Sequence, residues 1–137
     1  MFPGALLLIM TFVAVPARLP VFVQPAAQCL HTPGQETPAE RQRNVGALSA
    51  TRTINTAEAA YAASNNGRYA TREQLAGLVD ASRFNLQEGA EILPGFKLTL
   101  DVGDKGYWFE IVDTTDPCGY RFISNQQGLI FTAYPIR

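Results

Sequence analysis

The stretch TRTINTAEAAYAASNNGRYA, residues 51–70, decides how the chain reads. It is built mainly from small residues, has charges only at Arg52, Glu58 and Arg68, and halts at Asn65-Asn66-Gly67. Followed backwards, its apolar positions Ala47, Ala50, Ile54, Ala57 and Tyr61 recur at spacings of 3, 4, 3 and 4, and Val45 and Leu48 widen the same stripe. That periodicity is one face of an amphipathic helix. Arg41, Arg43, Arg52 and Glu58 fall to the rest of the helix surface. The start is marked by Thr37-Pro38-Ala39-Glu40, a capping box with proline at the first helical position. The stop is Gly67, a residue that closes helices in the left-handed conformation.

A second capping box, Thr71-Arg72-Glu73-Gln74, opens a short helix with Leu75, Leu78 and Val79 facing inward. Residues 80–95 read as irregular, anchored by Phe84, Leu86, Ile92 and Leu93. From Phe96 the apolar period changes from 3.6 to 2. Residues 96–102 alternate, Gly103-Asp104-Lys105-Gly106 turns, and residues 107–112 return with Tyr107, Phe109 and Ile111 on one face. After a loop through residues 113–119, a further hairpin joins residues 120–123 to 129–133. The expected fold class is α+β, with one long N-terminal amphipathic helix packed on an antiparallel β-sheet of about four strands.

The first 27 residues are a different material. Residues 1–23 are almost wholly apolar, with a core at residues 5–15 the length of a secretory h-region. Cleavage is expected after Ala17 or Ala27, and a retained membrane anchor is the rival reading, although Pro16, Arg18 and Pro20 interrupt it. Residues 28–37 are a Pro- and Gly-containing linker, and residues 38–137 form the domain. Export to the periplasm, envelope or exterior is the expectation. Contact with a membrane is expected only if the apolar segment is retained. The two cysteines, Cys29 and Cys118, are a candidate disulfide in such a chain, and two unpaired thiols are the alternative.

The 137 residues carry a formal net charge of -1. No basic excess is available for a phosphate backbone, so nucleic acid is not an expected partner. The single histidine, His31, lies in the linker, and no nucleophile–base pair or phosphate loop is visible, so no catalytic or cofactor-binding residue is assigned. Asp101 and Asp104 flank one turn, while Asp113 and Asp116 flank the loop before Cys118. Carboxylates on such loops suit calcium, but Asp and Gly are the standard residues of hairpins and Asx-turns, and ordinary turn chemistry is the favoured reading. Strand alternation sets Trp108 opposite Tyr107 and Phe109 and makes it a candidate interaction surface, or else a side chain covered by the 80–93 loop or the C-terminal tail.

The segments at residues 47–61 and 66–70, with Leu93-Pro94-Gly95-Phe96, residues 116–122, Asn125 and residues 128–130, resemble the globular part of type IV pilins and of type II secretion pseudopilins. The resemblance spans about residues 41–131. It implies a long helix on an antiparallel sheet and a non-enzymatic structural role in the cell envelope, as an accessory or minor subunit beside other envelope or pilin-like proteins. The usual start of that family, a glycine cleavage site followed by an unbroken apolar helix, has no counterpart here. A free-standing exported binding module with the same fold is the alternative reading.

Overall fold

A computed structural model describes residues 36–116 and 118–133. The apolar leader, most of the linker with Cys29 and His31, and the last four residues lie outside the described residues. Helix α1 spans Pro38–Ser64 and α2 spans Arg72–Ala76. Five strands follow: β1 Glu91–Leu93, β2 Phe96–Gly103, β3 Gly106–Asp113, β4 Arg121–Asn125 and β5 Ile130–Ala133. They form one sheet in the order β1-β2-β3-β4-β5, every neighbouring pair antiparallel.

The architecture is the α+β arrangement expected, with two corrections. The sheet has five strands, not about four. The extra one is β1, within the segment read as irregular. Three residues are too few to display a period, and the tight return through Pro94 and Gly95, at φ +80°, brings them back against β2. The long helix also begins at Pro38, well inside the chain rather than at its N-terminus.

Helix α1 starts where its sequence says it should. The Thr37 N–H donates to Glu40 Oε2 at 2.5 Å, and the Glu40 N–H donates to Thr37 Oγ1 at 3.2 Å. Two donors that a helix end leaves unpaired are thereby satisfied. At the other end the Gly67 N–H bonds the Ala62 carbonyl at 2.9 Å, with Gly67 at φ +77° and Asn66 at φ +56°. Asparagine tolerates the left-handed region better than other side chains, and glycine enters it freely. Helix α2 repeats the capping logic with Thr71 and Gln74.

The buried face of α1 is Ala47, Ala50, Thr51, Ile54 and Glu58. Leu48, Ala57 and Tyr61 pack on its flank. Two readings of this face need correction. Val45 is 59 % exposed. It lies two residues before Ala47, about 200° around the helix, so it cannot share the inward stripe. Glu58, assigned to the surface, is fully buried. Four residues after Ile54, it sits on the inward face by periodicity. Leu78 likewise points out, because α2 ends at Ala76 and the next turns present Val79 to the core instead.

One face of the sheet supplies the opposite half of the core. Phe96, Leu98, Tyr107, Phe109, Ile111 and Phe122 are buried against α1 and the 70–92 segment. Tyr69, carried back under the helix stop, meets Tyr107 edge to face at 4.9 Å. Among the described residues no helix is long and apolar enough to cross a membrane. The phase of α1 is directly testable by urea denaturation. Ile54→Ala, at a side chain 1 % exposed, is expected to cost about 2–5 kcal/mol, whereas Val45→Ala is expected to stay within about 0.5 kcal/mol of the parent.

Candidate functional site

Three places gather the residues with chemistry: the loop between β3 and β4, the seam between α1 and the sheet, and the outer face of the sheet. The loop is organised by Asp113. Its side chain forms an ion pair with Arg43 of α1 and is 2 % exposed, while Arg43 is 36 % exposed. The other carboxylate oxygen accepts from the Thr115 N–H at 2.9 Å, from the Thr115 hydroxyl at 2.8 Å and from the Asp116 N–H at 3.2 Å. Arg43 also donates to Thr115 Oγ1 at 2.6 Å and lies over the Phe96 ring, 5.7 Å from its centroid. Gly119 closes the loop onto this carboxylate. A Cβ there would stand 2.6 Å from Asp113 Cβ, so only glycine permits the approach. Arg43, read as a surface residue, is therefore the tie between α1 and the β3–β4 loop. Its partner lies 70 residues away, and no local pattern announces such a pair.

The calcium candidates separate into two pairs. Asp113 stands opposite Phe96 at one end of the β2–β3 hairpin, and Asp101 and Asp104 stand at the other. Seven residues of strand put about 24 Å between the two ends. Asp116 accepts the Cys118 N–H at 2.8 Å, and Asp101 accepts the indole N–H of Trp108 at 3.2 Å. Among the described residues no three His, Cys, Asp or Glu side chains are grouped to hold a metal ion. Asp113 and Asp116 each take up the backbone N–H two residues on, which is turn chemistry. Cys118 is disulfide-bonded. The candidate partner Cys29 lies outside the described residues.

The seam between α1 and the sheet carries a polar chain that the sequence did not announce. The Tyr107 hydroxyl donates to Asn55 Oδ1 at 2.9 Å. The Asn55 amide donates to Ser124 Oγ at 2.8 Å, and Ser124 Oγ in turn donates to the Leu129 carbonyl at 2.7 Å. Burial first, then the charge of Glu58, pushes the Tyr107 phenol up to about 12. The Ser124 hydroxyl is thus spent on structure, with no base beside it among these partners. Glu58 sits nearby, with Oε2 accepting the Ala70 N–H at 2.7 Å and Oε1 without a hydrogen-bond partner. Burial raises its carboxyl above the ordinary value, and the Ala70 hydrogen bond only partly opposes that.

The outer face of the sheet, turned away from α1, is the third place. Strand register sets Asp101, Trp108 and Asn125 in one cross-strand row, and Thr99, Glu110, Ile123 and Phe131 in the next. Trp108 is 43 % exposed and Phe131 53 %. The alternation of β3 had already placed Trp108 on this side, and the structure finds it open rather than covered. Phe131 was missed because β5 is four residues long and its face is fixed only by pairing with Ile123. On the other side of the molecule, an open groove of ≈ 760 Å³ runs along α1 between Arg52, Thr56, Ala60 and Leu78.

Two substitutions test the buried charges. Arg43→Met leaves Asp113 without its counter-charge and is expected to cost about 2–3 kcal/mol by urea denaturation, less than a fully buried pair because Arg43 is partly in solvent. For Glu58 the folded state favours the protonated form. Its stabilising contribution is complete below the unfolded carboxyl value, roughly 4.3, and is lost as pH rises through the higher folded value. Glu58→Gln is therefore expected to match the parent near pH 4 and to exceed it in melting temperature at pH 7; a constant offset across that range would contradict the assignment.

Compared with models of known protein families, with curated proteins and with solved structures, the chain gives no significant match to any of them.

Proposed function

We propose that the chain is a non-enzymatic structural and interaction protein of the cell envelope, similar to a pilin or pseudopilin subunit, serving as an accessory or minor component of a type IV pilus or type II secretion system. The observation that carries this reading is the disposition of α1. The helix is 27 residues long, about 40 Å, yet its fully buried residues run only from Ala47 to Glu58. In the first two turns Arg43 is tied to the β3–β4 loop, while Val45 stands exposed beside a ≈ 300 Å³ groove formed with Leu48, Tyr120 and Phe122. A helix presented in this way is a surface for neighbouring subunits. The disulfide at Cys118 and the apolar leader support an oxidising, exported setting. The second reading, a free-standing exported binding module, is favoured by the open aromatic face around Trp108.

Two measurements test the first reading. Intact mass and N-terminal sequencing of the protein from its native cell are expected to show loss of the leader after Ala17 or Ala27, with the product in the envelope fraction. A photo-crosslinker at position 45, checked by mass spectrometry, is expected to capture a pilin-type or pseudopilin subunit. Recovery of an intact Met1 form in the cytosol, or crosslinks to unrelated proteins alone, would overturn it.

A further inference from the structure

We propose that the outer face of the sheet binds a linear, neutral polysaccharide of β-linked pyranose rings. The proposal goes beyond the envelope reading and does not depend on assembly with other subunits. Its basis is the spacing and setting of two aromatic side chains. Trp108 and Phe131 both stand exposed on this one face, on β3 and β5. They are two strands apart laterally and two residues apart along the strands, a separation of about 12 Å, roughly the length of two linked pyranose rings. Among the described residues no helix packs on this side, and the surface between the rings is a half-buried Ile123.

The chemistry of such a chain matches what the face offers. An all-equatorial pyranose presents axial C–H groups above and below its ring, and these rest on the negative π-face of an aromatic ring. Its hydroxyls lie at the rim, where they need fixed acceptors and donors. Asp101 holds the Trp108 indole by its N–H at 3.2 Å, so the platform is oriented in advance. Asn125, next to Trp108 in the row, has its carbonyl oxygen turned to the Gln127 N–H at 2.9 Å, which leaves the amide nitrogen as a donor beside the ring. Glu110 lies in the row of Phe131, paired to Arg121 at 3.5 Å. The charges on this face, Lys97 and Arg121 against Glu91, Asp101 and Glu110, leave no positive excess and do not favour an anionic polymer. A β-1,4-linked chain is extended and flat, as the sheet is, whereas an α-1,4-linked chain coils away from a flat surface.

Trp108 is the only tryptophan in the chain, so its fluorescence reports on this face alone. The test is titration of the full mature chain with cellohexaose, with chitohexaose and, as the coiled control, with maltohexaose. Fluorescence is read alongside ¹H–¹⁵N correlation spectra. The expected result is saturable binding of a β-linked hexasaccharide, with shifts concentrated on β3, β4 and β5. Trp108→Ala and Phe131→Ala are each expected to weaken it at least tenfold, with melting temperatures near that of the parent because both side chains are exposed. The map on the unmodified protein decides the location even if a variant proves unstable. No binding of either β-linked chain at millimolar concentration, equal binding of maltohexaose, shifts centred elsewhere, or protein-concentration-dependent shifts showing that a second copy occupies the face would overturn the proposal.

Discussion

The close seating of α1 on β3 and β4 is the constraint from which the rest follows. Ala47, Ala50 and Thr51 have no exposed surface, and their short side chains are what let the helix backbone descend to the sheet. At that distance Asn55 reaches Ser124 and Tyr107, and Arg43 reaches Asp113. Thr51 solves its own problem at the seam by donating to the Ala47 carbonyl at 2.9 Å, so a buried hydroxyl needs no partner on the sheet. A larger residue at 47 or 50 would lift the helix and break all of these bonds together. The seam is thus held by packing in its middle and by directional polar contacts at its ends, and the polar contacts fix one position of the helix rather than a range of them.

What was legible in the sequence were the features with a local cause. Both capping boxes rest on side chains three residues apart, and the helix stop on two residues with unusual backbone freedom; each is visible without knowing the fold. The alternation of β2 and β3 is long enough to give both strands and the side on which Trp108 lies. What escaped depends on distant partners. Glu58 looks like surface because carboxylates usually are, and only the arrival of Ala70 and the tyrosines makes its burial intelligible. Val45 entered the inward stripe because it is apolar, although the two residues to Ala47 turn the helix by about 200° and hold it off that face. β1 and Phe131 belong to elements of three and four residues, shorter than any period can reveal. Of the site residues, Trp108 was named from alternation alone, whereas Arg43 and Phe131 acquire meaning only from strand pairing and loop closure.

The molecule divides its surfaces by role. The helix-bearing side presents mostly small residues, with Arg52 and Leu78 among them, along a groove. The opposite side presents two rings framed by fixed polar groups, suited to a small repeating ligand. Between them lies the core, whose buried polar groups include Glu58 and the Asn55 chain, and these join the helix to both the sheet and the 65–71 turn.

The strand order has one more consequence, and it concerns time. Each strand pairs with its neighbour in sequence, so the sheet closes only short loops and is expected to form quickly. Among the described elements the helix precedes every strand, yet its hydrogen-bonding partner Ser124 is 69 residues downstream. A chain emerging from its N-terminus must therefore hold an amphipathic helix without a partner until nearly its last strand is made. Most of the stability of an amphipathic helix in a protein comes from the packing of its apolar face. Docking of α1, rather than formation of either layer, is then the step at which the native state is reached.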